Sequence, residues 1–91
     1  MISILIPVYN LDVTELVTEL SRQLQESMPT GQIVLLDDGS DLRFTSINKL
    51  LETLPHTRFI RLEKNAGRIQ ARVQLAQLAS NNWLLFVDGD S

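Results

Sequence analysis

The sequence predicts an open, mainly parallel α/β sheet flanked by helices, and three observations carry that prediction. Short runs rich in Ile, Leu and Val recur four times along the 91 residues. Between these runs the apolar period changes from that of a strand to that of a helix. Each run ends in a polar loop containing Pro, Asn, Asp or Gly. Strands alternating with helical segments imply parallel pairing through right-handed crossovers.

The first strand covers residues 2–6, a mostly apolar run expected of a strand buried on both faces. Pro7 ends it, because proline has no N–H to give a central ladder. From Val13 the period becomes helical, with Val13, Leu16, Val17, Leu20 and Leu24 on one face. Asp12 and Glu15 are spaced as a capping box, and Met28-Pro29-Thr30-Gly31 stops the helix.

Residues 33–36 form the second strand, and Gly39-Ser40-Asp41 a turn. The second helix is expected to bury Ile47, Leu50, Leu51 and Leu54 before Pro55-His56 closes it. A third strand, Arg58-Phe59-Ile60-Arg61-Leu62, carries two arginines that place it near a sheet edge. After the loop Lys64-Asn65-Ala66-Gly67, a third helix spans residues 68–79. Ile69, Val73 and Ala76 form its apolar stripe, widened by Leu75 and Leu78. Trp83-Leu84-Leu85-Phe86-Val87 is the fourth strand. The chain reads as one domain, residues 1–91, without repeat or linker.

Composition narrows the function. A net charge of −3, no basic run, one Trp and one Tyr give no surface for nucleic acid. Without cysteine, disulfide scaffolds and thiolate metal sites are excluded. No stretch reaches the roughly 20 apolar residues that cross a bilayer. The opening residues lack the pattern of a signal peptide, so a cytoplasmic location is expected.

The polar residues collect at the strand ends. These are Pro7-Val8-Tyr9-Asn10, Asp37-Asp38-Gly39-Ser40, Asn65-Ala66-Gly67-Arg68 and Asp88-Gly89-Asp90-Ser91. Parallel strands place all these ends along one edge, and such sheets bind ligands where strand order reverses. With the order 3-2-1-4, the Tyr9 and Asp88 loops face each other there. Asp88 and Asp90, one residue apart after an apolar strand, offer oxygen ligands to a hard divalent cation. Each feature also has a purely structural reading. Asp37 and Asp38 suit a turn cap with Gly39 at positive φ, and Asp-Gly-Asp-Ser suits a polar turn.

The four segments together, with Ala71-Arg72 in the third helix, resemble the nucleotide-sugar-binding half of a family 2 glycosyltransferase with the GT-A fold. The resemblance covers nearly the whole chain. It implies transfer of a sugar from a nucleotide-diphosphate sugar, a UDP-sugar by expectation, to an acceptor hydroxyl with inversion. The acceptor is unspecified: glycan, lipid or protein. It further implies that Pro7, Val8, Tyr9, Asp38, Gly67, Arg72 and Asp88 bind the donor nucleotide. Asp38 would accept from the base, Tyr9 would offer a stacking face, and Arg72 would meet base or diphosphate. Asp90, with Asp88, would bind Mg²⁺ or Mn²⁺.

Val73 departs from the family pattern, which has Asn after the Ala-Arg pair. The acceptor-binding half and the general base are expected to lie outside this chain, leaving it able to bind donor and metal but inactive alone. An uncovered sheet edge is expected to favour self-association.

Two other readings compete. A nucleotide-binding module without catalysis would share the fold. A metal-dependent phosphatase would share the Asp-Gly-Asp motif, although that motif normally follows the first strand. No Gly-x-Gly-x-x-Gly or P-loop is present. His56, Ser40 and Ser91 have no catalytic partner in the sequence.

Overall fold

A computed structural model describes residues 1–79 and 83–88. Strand β1 spans Ile2–Val8, helix α1 Thr14–Ser27, strand β2 Gln32–Asp38 and helix α2 Leu42–Lys49. A single 3₁₀ turn, Leu50–Thr53, extends α2. Strand β3 spans Thr57–Leu62, helix α3 Arg68–Leu78 and strand β4 Trp83–Phe86. The four strands pair in parallel in the order β3-β2-β1-β4. This is the predicted α/β architecture and strand order.

The period-two alternation of strand side chains divides the core into two layers. On one face Ile4, Ile6, Val8, Ile33 and Leu35 pack with Val13, Val17 and Leu24 of the α1 segment and with Leu51. On the other face Leu5, Val34 and Leu36 pack with Ala71 and Leu75 of α3. Burial of each large aliphatic side chain stabilises the fold by roughly 1.5–3 kcal/mol. The strands richest in such residues, β1 and β2, therefore take the centre. The arginine-bearing β3 lies at the edge, paired only with β2 among the described residues.

Four local expectations are corrected. Strand β1 runs on through Pro7 to Val8, with Pro7 opposite Leu36 of β2. Helix α2 buries Thr45 and Asn48, with Leu51 following in the 3₁₀ turn, while Ile47 and Leu50 are exposed. The inward positions are polar because they hydrogen-bond to neighbouring segments. Helix α3 turns Ala71 and Leu75 inward and leaves Ile69 81% exposed and Val73 exposed. Both of its faces carry apolar residues, so periodicity alone does not choose between them. Asp12 accepts from the N–H and hydroxyl of Thr14, at 2.9 and 2.7 Å, so the start of α1 is closed by a local turn.

Strand β4 ends at Phe86, and Trp83 (72% exposed), Leu84 and Leu85 lie open. Only Phe86 of this strand packs against the α3 layer among the described residues. Among the described residues, no helix is long and apolar enough to cross a membrane.

Candidate nucleotide-binding site

The ends of β1, β2 and β4 and the start of α3 enclose a cleft of about 510 Å³, within the size range of small-ligand pockets. Pro7, Val8, Tyr9, Asn10 and Leu11 form one wall. Asp38 lines it from the end of β2, Asn65, Gly67, Arg68 and Ala71 line it from the approach to α3 and its first turn, and Asp88 lines it from beyond β4. The cleft lies where strand order reverses, because β1 pairs with β2 on one side and β4 on the other.

Asp37 and Asp38 serve opposite faces because adjacent strand residues alternate. Asp37, 1% exposed, lies on the α1–α2 side. It accepts from the Ser40 N–H at 2.8 Å and from the Thr45 hydroxyl at 2.5 Å, fastening the β2–α2 turn. Its turn-capping reading is the one this geometry displays.

Asp38, 4% exposed, lies on the α3 side. Its carboxylate accepts from the N–H groups of Ala66 (2.7 Å) and Gly67 (3.2 Å) and from the Asn65 side-chain amide (3.2 Å). The same Asn65 amide donates to the main-chain oxygen of Asp38 at 3.0 Å. The carboxylate thus sits at the positive end of α3, where a negative charge is favoured. Three of its roughly four acceptor sites are taken, which leaves one.

The turn after Asp38 requires glycine. Gly39 has φ +73°, and a Cβ there would meet the Asn65 nitrogen at 2.5 Å. Gly67 has φ +92° with open space around it, so it needs glycine for its backbone rather than for a close neighbour.

Arg72 does not line the cleft. It stands behind Asp88, donating from Nη2 to Oδ1 at 3.0 Å, with its guanidinium carbon 5.3 Å from the Phe86 ring centre. Its buried Nε has no hydrogen-bond partner among the described residues. Arg72, expected from the resemblance to meet base or diphosphate, is thus placed against Asp88 in the ligand-free chain. Arg68, one turn earlier, is the arginine that lines the cleft.

Tyr9 is 54% exposed at the cleft wall. Asp90 lies outside the described residues, and so does the pairing of Asp88 with it. Among the described residues, no group of three or more His, Cys, Asp or Glu side chains is placed to hold a metal. Asp88 alone supplies a described carboxylate of the expected pair, an oxygen donor suited to a hard cation.

The lining therefore combines two carboxylates, one guanidinium and one aromatic ring. A polyphosphate entering beside Asp38 and Asp88 would meet like charge, so it needs a cation to offset them. Arg68 supplies one, and a divalent ion would supply more.

Sequence reasoning passed over Leu11 and Asn48. Leu11 is an ordinary apolar residue with nothing local to mark it. Asn48 did leave a trace: Thr45, Asn48 and Leu51 follow a three-residue spacing, the inward face of a tightening helix.

Comparison with protein-family models matches residues 3–91 to a family described as glycosyl transferase family 2. Comparison with curated proteins gives no match. Among solved structures, S. aureus TarS 1–349 is similar at TM-score 0.75 and 27% identity, covering 98% of this chain and 27% of that one. The same TarS segment in complex with UDP gives TM-score 0.75 and 29% identity. A further S. aureus TarS structure gives TM-score 0.72 and 26% identity, covering 98% of this chain and 16% of that one. The present chain thus spans about a quarter or less of the length of these neighbours.

Proposed function

Because this chain belongs to glycosyl transferase family 2, we propose that its cleft binds the nucleoside diphosphate of a sugar donor, with UDP as the preferred nucleotide. The observation that carries this reading is the meeting of Pro7, Val8, Tyr9, Asp38, Gly67 and Asp88 around one cleft. The similarity to TarS in complex with UDP supports the choice of nucleotide.

Tyr9 gives the base an aromatic face, and the remaining acceptor site of Asp38 takes the ring N–H that uracil offers. Gly67 leaves backbone space for the ligand, and Arg68 offsets phosphate charge at the start of α3. Asp88, held by Arg72, and Asp90 hold Mg²⁺ or Mn²⁺. When bound, that ion supplies charge neutralisation to the diphosphate leaving group.

The whole protein, in this reading, transfers the sugar with inversion to an acceptor hydroxyl on a glycan, lipid or protein, and works in the cytoplasm. The general base and the acceptor groove belong to residues other than these 91. This chain alone binds donor and metal without turnover, and it self-associates along β4.

Isothermal titration with UDP and GDP, each with and without Mn²⁺, tests the reading. UDP is expected to bind, more tightly than GDP and more tightly still with Mn²⁺. No binding of either nucleotide overturns the proposal, and sugar transfer by the 91-residue chain overturns its division of labour.

A further inference from the structure

Asn48 lies on the inward face of α2 and is fully buried. Asn48 does not itself line the cleft, yet both ends of its amide are engaged with the segment that begins at the wall residue Leu11. Its Nδ2 donates to the Leu11 carbonyl at 2.7 Å, and its Oδ1 accepts from the Val13 N–H at 3.0 Å. Val13 directly precedes α1, so its N–H has no acceptor inside that helix and needs one from elsewhere. A buried amide left without partners would be destabilising, which makes this pairing strongly preferred over an open arrangement.

Two further contacts join the same stretches. The Asn10 N–H donates to the Ser40 hydroxyl at 2.9 Å, and the Asn10 side-chain oxygen accepts from the Asp41 N–H at 2.8 Å. Asn10 holds φ +50°, an unusual backbone setting for a residue other than glycine. Residues 10–13 are thus fastened to residues 40–48 by four hydrogen bonds. Asp37 anchors the second stretch to the sheet through Ser40 and Thr45. A continuous set of hydrogen bonds runs from the end of β2, through α2, to the loop that bears Tyr9 and Leu11.

We propose that Asn48 is a positioning residue for the Tyr9–Leu11 wall of the cleft, acting from behind it. It fixes where the wall stands relative to Asp38, and so sets how well the cleft holds its ligand. The part of the claim that concerns ligand affinity rests on the nucleotide reading above; the part that concerns the loop does not.

The test compares the 91-residue chain with Asn48→Leu, which removes both contacts, and with Asn48→Asp. The latter keeps the size and the acceptor for Val13 but loses the donor to Leu11. Amide hydrogen exchange of Asn10 and Val13 is measured against that of β1 and β2, which report global stability. In Asn48→Leu, exchange at Val13 and Asn10 is expected to accelerate roughly tenfold relative to the strands. UDP affinity should fall roughly fivefold, the scale of one buried hydrogen bond.

A buried residue that matters only for stability would lower the melting temperature while leaving the exchange of residues 10–13 in step with the strands. That result overturns the proposal. If Asn48→Leu does not fold, Asn48→Asp decides by the same comparison, with Asn10 as the reporter. If the unmodified chain takes no UDP, the nucleotide reading fails, and the exchange pattern still decides whether Asn48 sets the loop.

Discussion

Asp37 and Asp38 are neighbours in sequence, yet the pleat sends them to opposite layers of the molecule. One carboxylate fastens the β2–α2 turn; the other holds Ala66 and Gly67 at the head of α3. The adjacency of two acidic residues at a strand end was legible from the sequence. Their division of labour followed from strand parity, but the partner of Asp38, 28 residues away, could not be read locally. Asp38 is thus a builder of the site as well as part of its lining. Asp38→Asn would place an amide donor against backbone N–H donors, and is expected to destabilise the ligand-free chain by about 1–3 kcal/mol. Chemical denaturation without nucleotide checks this. Unchanged stability would mean that Asp38 matters only to a ligand.

At the scale of elements, the strands were read well because β1 and β2 carry unbroken apolar runs that suit only a buried centre. Helix α1 turns its expected face inward, whereas α2 and α3 are placed as expected but rotated. In α3, Ala71 and Leu75 compete with Ile69 and Val73 for the inward face. The rotation is consistent with contacts made by other segments: the Asp38 carboxylate at its head and the Arg72–Asp88 pair along its side. In α2, Thr45 and Asn48 face inward with hydrogen bonds to Asp37, Leu11 and Val13, while Ile47 and Leu50 stay exposed; an inward Ile or Leu would leave those partner groups unpaired.

The exposed side of α1 makes its own pH prediction. Glu19 accepts from Arg22 and Gln23, and Arg22 also reaches Glu26. The hydrogen bond from Arg22, then that from Gln23, lowers the Glu19 carboxyl from 4.5 to about 2. The folded value is depressed, so any stability it contributes is present above about 4.5 and lost as pH falls towards 2. The cluster is open to solvent, so salt weakens it. Side-chain carboxyl NMR at low salt should give a Glu19 midpoint near 2, whereas a midpoint near 4.5 would contradict the pairing.

For the whole molecule, alternation of strands and helices sufficed to bring the polar loops to one sheet edge. Parallel pairing leaves no other place for four strand ends. Among the described residues, β4 is thinly covered, in line with the open sheet edge expected from the sequence. Its side chains Trp83, Leu84 and Leu85 are exposed, and no charged residue lies among Trp83–Phe86, whereas the opposite edge carries Arg58 and Arg61. An apolar edge without charge favours strand-to-strand pairing, so light scattering of the chain at high concentration should register a dimer or larger species. A monomer throughout would contradict that expectation.

If separate strand ends form one ligand site, backbone NMR of the 91-residue chain titrated with UDP will register it. The largest shifts should fall together on Tyr9, Asp38, Gly67 and Asp88, with the outer face of α1 silent. Shifts confined to one loop, or centred on α1, would contradict it.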